Sequence, residues 1–331
     1  MAHLDVHSRP INYLRVSVTD RCNLRCVYCM PPEGVIWQPH ESVLSFEEIE
    51  SVVRAAVQVG VSRVRLTGGE PLVRLGIVEL AGMIARIAGV EDLSMTTNGV
   101  LLPRFARALA EAGLMRVNIS LDTLRPERFA SMTRLGDIGQ VMTGIRAATE
   151  AGLEPVKINM VAMRGVNDDE LVDMARKTQT EGWNVRFIEW MPIGQKRLDG
   201  KPWATSVITG AEIRRKIEAE LGPLEPAKAG EGGGPARYYR LAKSNGTLGF
   251  ITPVSDHFCF RCNRLRLTAD GQLRPCLLSD VEIDLRTPLR SGAGVPEIKE
   301  LLLRAIESKP LRHHLDECLQ PEKRSMFQIG G

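Results

Sequence analysis

Six short runs rich in β-branched and apolar residues recur along the first 190 residues: INYLRVSV, RVRLT, DLSMTT, RVNISL, PVKINMVAM and NVRFIEWM. Segments with helical periodicity separate them, among them PRFARALAEAG, IGQVMTGIRAATEAG and DDELVDMARKTQTEG. The segment SFEEIESVVRAAVQVG opens on a capping box, Ser45 as N-cap with Glu48 three residues on, and stops at Gly60. Strand and helix alternating in this way point to an α/β fold in which crossover helices cover a parallel sheet. The expectation is a partial (β/α)6 barrel over residues 1–195 and a smaller region over residues 196–331. Such folds bind ligands beyond the C-terminal ends of the strands. Thr67-Gly68-Gly69-Glu70, Thr96-Thr97-Asn98, Ser120 and Met191 fall there.

Past residue 195 the composition changes. GEGGGPA reads as a flexible loop, RYYRLA and LGFITPV as strands, and VPEIKELLLRAIESK as a helix. In HFCFRCNRLRLTADGQLRPCL, Asp270-Gly271 between two alternating runs signals a hairpin. A two-residue turn there would pair Cys276 with Leu265, opposite Arg264 and Arg266; a longer turn would flip that parity. No stretch has the h-region of a signal peptide, and no apolar run approaches the ~20 residues that span a bilayer. A cytoplasmic protein with no membrane partner is expected. The net charge of +3 over 331 residues lacks the basic stripe of a nucleic-acid binder and suits a pocket for a small anion. Six scattered histidines and no paired carboxylates give no hydrolase reading.

Seven cysteines in a reducing compartment argue for metal or redox chemistry. Three of them, Cys22, Cys26 and Cys29, crowd into TDRCNLRCVYCM. A helix would carry them on one face, but Pro31-Pro32 follows at once, and the outer sulfurs would be spread along roughly 10 Å of axis. The segment reads instead as a loop curled around something. A closed zinc site needs four ligands and only three are local, which leaves a distant fourth ligand open. A disulfide would leave one thiol over. Three thiolates on a four-iron cluster would leave one iron open to a substrate or cofactor, whereas electron-carrier clusters use four cysteines.

The spacing C-x3-C-x2-C, with Tyr28 before the last cysteine, resembles the signature of the radical S-adenosylmethionine (SAM) superfamily. The resemblance implies that Cys22, Cys26 and Cys29 hold a 4Fe-4S cluster whose open iron binds SAM. It also implies that an electron from the cluster cleaves the sulfonium to release a 5′-deoxyadenosyl radical. TGGEP at Thr67–Pro71 is similar to the segment that meets the methionine amino group. Tyr28, Gly69, Ser120 and Met191 match cofactor-contacting positions.

A second set, Cys259, Cys262 and Cys276, has two readings by spacing: a structural zinc knuckle with His257 as fourth ligand, or a second cluster. Arg264 and Arg266, two apart on a strand, share one face, either as a solvated edge or as guanidiniums aimed at phosphates. Both cysteine sets, this arginine pair and the terminal Gly330-Gly331 resemble the GTP 3′,8-cyclase family of molybdenum cofactor biosynthesis over essentially the whole length. The resemblance implies a second 4Fe-4S cluster that holds the guanine base. It implies GTP contacts from Arg15, Arg65, Thr96, Lys157 and the run Arg264-Leu265-Arg266, with a glycine tail reaching the active site. Taken singly, each cation reads as a surface charge and Thr96 as a turn hydroxyl. The partners implied are GTP, a low-potential electron donor and the downstream cyclic pyranopterin monophosphate synthase; a homodimer is left open. Cys318 reads as an ordinary free thiol. The rival readings are a radical SAM peptide-modifying enzyme with an auxiliary cluster and a non-catalytic metal-binding electron carrier.

Overall fold

The computed structural model describes residues 2–194, 197–198, 200–228, 233–313, 315 and 323–330. Cys318 and Gly331 lie outside the described residues. The six expected strands are β1 (Tyr13–Ser17), β2 (Arg63–Thr67), β3 (Asp92–Thr97), β4 (Arg116–Ser120), β5 (Lys157–Ala162) and β6 (Asn184–Glu189). They pair in parallel in chain order. The crossovers are α1 (Phe46–Gln58), α2 (Ile77–Ala85), α3 (Leu102–Glu111), α4 (Pro126–Thr133), α5 (Ile138–Glu150) and α6 (Leu171–Thr180). The capping box on α1 forms as expected: Ser45 Oγ accepts from the Glu48 N–H at 3.1 Å, and the Glu48 carboxylate accepts from the Ser45 N–H at 2.7 Å.

Apart from a separate two-stranded ribbon, Arg197–Leu198 with Lys201–Pro202, the later strands join this same sheet. They are β7 (Glu225–Pro226), β8 (Arg237–Arg240), β9 (Leu248–Ile251), β10 (Arg264–Leu267), β11 (Gln272–Arg274) and β12 (Ile283–Asp284). β9 lies parallel to β6 and β10 parallel to β1, so eight parallel strands run β9-β6-β5-β4-β3-β2-β1-β10. Antiparallel β8 and β7 extend one flank, and β11 and β12 the other. Residues from beyond 195 thus complete both edges of the barrel.

Side-chain alternation sorts the two faces of the wall. Leu14, Val16, Val64, Leu66, Val117, Ile119, Leu265 and Leu267 turn outward into the core under the helices. Burying such a side chain contributes about 1.5–3 kcal/mol each. Arg15, Arg65, Asn118, Asn159, Arg186 and Arg266 turn inward and line a cavity. One face supplies the stability, and the other is left free to be polar.

The β10–β11 hairpin sets Arg266 opposite Arg274 and Leu267 opposite Leu273. The loop therefore holds three residues, Ala269-Asp270-Gly271, closed by Thr268 N–H donating to the Gln272 carbonyl at 2.9 Å. Gly271 takes the left-handed conformation with φ +81°, which this loop class requires. Extending that register sets Cys276 opposite Arg264, and both line the same cavity. The longer turn, with its flipped parity, is the one that forms. Among the described residues, no helix is long and apolar enough to cross a membrane.

Candidate active site

The barrel encloses a cavity of about 290 Å³ lined by Cys22, Cys26, Cys29, Cys259, Cys262 and Cys276, none of them in a disulfide. The two cysteine sets sit at opposite ends. Cys22 follows the C-terminal end of β1, whereas Cys262 precedes β10, whose Arg264 is level with Tyr13 at the start of β1. Strand rise puts about 17 Å between the two ends of the wall, the reach of one extended nucleotide. The second set thus lies at the N-terminal end of the strands, away from the end where such barrels ordinarily carry their sites.

The first set is held from both sides. On one side the Gly69 N–H donates to the Thr19 carbonyl and the Glu70 N–H to the Arg21 carbonyl, each at 2.8 Å. A Cβ at Gly69 would stand 2.4 Å from the Arg21 oxygen, so the glycine lets the cysteine loop dock directly on TGGEP. On the other side Arg134, with φ +62°, donates through Nη1 to the Arg25 carbonyl at 2.9 Å and the Met30 carbonyl at 2.8 Å. It brackets Cys26 and Cys29. Tyr28 donates its hydroxyl to Asp122 at 2.6 Å, and Asn98 donates to Asn23 at 2.8 Å. Glu70, fully buried, accepts from Thr97 Oγ1 at 2.8 Å and Asn98 N–H at 2.7 Å, and burial pushes its carboxyl up to about 7.

Burial also pushes the Cys22 thiol up to about 11, with the Glu70 charge adding to the effect. It pushes Cys26 and Cys29 up as well, helped by the neighbouring thiols and by Asp122. At neutral pH, thiols raised in this way stay protonated until a group carrying positive charge binds among them. That donor set fits an iron–sulfur cluster.

The second set begins in a helical turn, Cys259–Arg261. Buried Arg9 anchors it: Nη1 donates to the Cys259 carbonyl at 2.8 Å, while Nε is paired with Asp5 at 2.7 Å. Lys309 donates to the carbonyls of Arg264 at 2.8 Å and Pro275 at 2.5 Å, tying the cysteine loop to the hairpin. Burial opposes ionisation of Cys262, but the Arg264 and Lys309 charges outweigh it and bring the thiol down to about 6. Burial pushes Cys259 up. His257 packs edge-on against His313 with ring centroids 5.4 Å apart, and its buried Nδ1 makes no hydrogen bond among the described residues. Among the described residues, no three His, Cys, Asp or Glu side chains converge within reach of a single metal ion.

Between the ends runs a guanidinium belt, since register places Arg266 beside Arg15 and Arg15 beside Arg65. Burial and the neighbouring Arg264 charge draw the Arg266 pKa down to about 9; burial and Arg266 lower that of Arg15. An anionic ligand relieves this crowding. The tail already supplies one partner: the Gly330 carbonyl accepts from Arg266 Nη1 at 2.8 Å and Arg15 Nη2 at 3.2 Å.

Of the residues expected at the site, Arg15, Tyr28, Arg65, Gly69, Thr96, Ser120, Met191, Arg264 and Arg266 line the cavity with the six cysteines. Two differ. Lys157 is buried outside the cavity lining, its pKa drawn down to about 7 by burial and then by Arg186, Arg116 and Arg65. The Leu265 side chain is wholly buried in the outer core, so only its backbone is available to a ligand. Sequence reasoning missed Asn118, Asp122, Asn159, Arg186, Glu189 and Lys309, all of which line the chamber. Strand parity was the available signal: Arg186 pairs with Asn159, which pairs with Ser120.

Residues 16–178 match the Radical SAM superfamily, and residues 183–315 match Molybdenum Cofactor Synthesis C. The class is that of radical SAM enzymes with this second region attached. Streptococcus suis SuiB, in its complex with precursor peptide SuiA, shares the fold with a TM-score of 0.60 at 14% identity, over 92% of this chain and 67% of that one. The curated relatives are far closer. The GTP 3′,8-cyclase of Pelotomaculum thermopropionicum is 56% identical over 328 residues, 99% of each chain. That of Heliobacterium modesticaldum is 54% identical over 99% of this chain and 100% of the relative. The chain belongs to the GTP 3′,8-cyclase family. Membership brings with it a 4Fe-4S cluster and SAM as cofactors.

Proposed function

We propose that this chain cyclises GTP to (8S)-3′,8-cyclo-7,8-dihydroguanosine 5′-triphosphate, the first step of molybdenum cofactor biosynthesis, inside the barrel. The observation that carries this reading is one chamber with a cysteine triplet at each end and a belt of guanidiniums between. In this reading Cys22, Cys26 and Cys29 hold the first 4Fe-4S cluster, and Cys259, Cys262 and Cys276 hold a second one that receives the guanine. Region 1–195 contributes the SAM end, and region 196–331 the guanine end.

The first cluster with SAM supplies radical chemistry that removes the ribose 3′-hydrogen; everything else falls to side chains of the chain. Arg15, Arg65, Arg264 and Arg266 neutralise the triphosphate, for which paired guanidiniums have suitable geometry. Thr96 and Lys157 complete the GTP set, with Leu265 contributing its backbone. Tyr28, Gly69, Ser120 and Met191 contact SAM. The GTP phosphates displace the Gly330 carbonyl from Arg15 and Arg266 or share those donors with it. The enclosing wall keeps water from a reactive carbon centre. The accompanying partners are a low-potential electron donor and the downstream cyclic pyranopterin monophosphate synthase, with the protein placed in the cytoplasm.

Anaerobic reconstitution tests the reading. About eight irons per chain are expected for two four-iron clusters, with deoxyadenosine formed only when GTP accompanies SAM and reductant. Zinc in place of iron at the second set, or deoxyadenosine formation indifferent to GTP, overturns it; the latter result would favour a peptide substrate.

A further inference from the structure

Asn118, in the middle of β4, lines the chamber at 1% exposure, and neither its Nδ2 nor its Oδ1 has a hydrogen-bond partner among the described residues. A buried amide in this state is costly unless a ligand brings the complementary groups. The neighbours of Asn118 narrow the choice of ligand. Register places it directly between Thr96 on β3 and Lys157 on β5, two residues of the GTP set proposed above. Ser120, of the SAM set, follows two positions along on the same face, about 7 Å away by strand rise. Asn118 therefore stands at the junction of the two ligands. There the hydrogen to be removed has to meet the group that removes it.

The chemistry of the site divides a nucleoside triphosphate into three parts. Guanidiniums match the phosphates, and the second thiol set lies toward the base. The sugar remains, and it is uncharged. A carboxamide presents one donor and one acceptor side by side, which is the complement of a vicinal diol. We propose that the Asn118 carboxamide binds the ribose hydroxyls of the nucleotide, donating through Nδ2 to one and accepting at Oδ1 from the other, and so fixes which ribose C–H faces the SAM end. The inference rests on the GTP reading and deepens it.

Equilibrium dialysis of the anaerobically reconstituted protein against GTP, 2′-deoxyGTP and 3′-deoxyGTP provides the test. The wild-type protein binds at least one deoxynucleotide about tenfold more weakly than GTP, the equivalent of one hydrogen bond. N118A binds GTP about tenfold more weakly than wild type does and no longer separates the three nucleotides. N118S, smaller but still polar, gives a second reading if N118A loads less iron. A residue that merely supports the fold would weaken all three nucleotides equally and leave their ratios unchanged. Wild-type-like ratios in both variants, or a wild-type protein that does not distinguish GTP from either deoxynucleotide, overturn the proposal. Failure of the wild type to bind any of the three is a separate result and sinks the GTP reading itself.

Discussion

At the C-terminal end of the barrel, Cys22, Cys26 and Cys29 share their surroundings with the carboxylates of Glu70 and Asp122. At the other end, Cys262 sits among Arg264 and Lys309, and Cys259 has Arg9 beside it. The two ends use the same number of cysteines in opposite electrostatic settings. Ionisation of the first set waits almost entirely on the metal; at the second, the protein has already prepared one thiolate. The same difference acts on an iron–sulfur centre, because each added electron makes it more negative. Acidic surroundings make reduction harder, which suits a centre that must be a strong reductant. Cationic surroundings favour the reduced state and attract an anionic substrate.

The sharpest way to break this comparison is to remove one ligand from each end. Cys22→Ser is expected to take deoxyadenosine formation below detection, whereas Cys276→Ser retains SAM cleavage that no longer depends on GTP. Identical behaviour of the two variants would erase the distinction. The next effect is read on metal-free protein, by mass-spectrometric mapping of iodoacetamide adducts. Cys262 is a thiolate above pH ~6, so its alkylation slows as the pH falls through about 6, whereas Cys22 gains its thiolate only near pH 11. At pH 7 a rate difference of about 30- to 100-fold is expected after allowing for the weaker nucleophilicity of a low-pKa thiolate. Similar rates would show that the charges around Cys262 do not act on it.

Arg266→Ala comes third. It weakens GTP binding by about 10- to 100-fold, as for loss of a charged hydrogen bond, while uncoupled SAM cleavage stays measurable. Unchanged GTP affinity would remove that arginine from the site. Arg134→Ala is expected to be the mildest, because all three thiols remain and only their outer clamp is lost. Iron at the first set should exchange to a chelator about tenfold more readily, with iron at the second set unaffected.

Much of this architecture is legible in the chain. The six βα units, the capping box of α1 and both cysteine triplets follow from local periodicity and spacing. What was not legible depends on distance. Nothing local to LGFITPV or NRLRL says that β9 will lie beside β6 and β10 beside β1, because both pairings form between segments far apart in sequence. That closure places the second cysteine set at the opposite end of the barrel from the first. Asn118 and Arg186 escaped notice because each reads as an ordinary polar residue in a strand until its neighbours fix which face it shows. Leu265 illustrates the converse: it sits inside the arginine run, yet its side chain belongs to the outer core.

The loop Ala269-Asp270-Gly271 is a tight turn, buried at Ala269 and Gly271. Here its length sets a phase. Were the same residues to close on a two-residue turn at Asp270-Gly271, Cys276 would fall opposite Leu265 and leave the chamber wall while the helices and the strands before it stayed in place. Such a chain would keep its helices and the rest of its sheet, yet no longer bring Cys276 to the chamber with Cys259 and Cys262. Losing one residue between Gln272 and Cys276, with the turn itself unchanged, would produce that slip with little trace in the helix content.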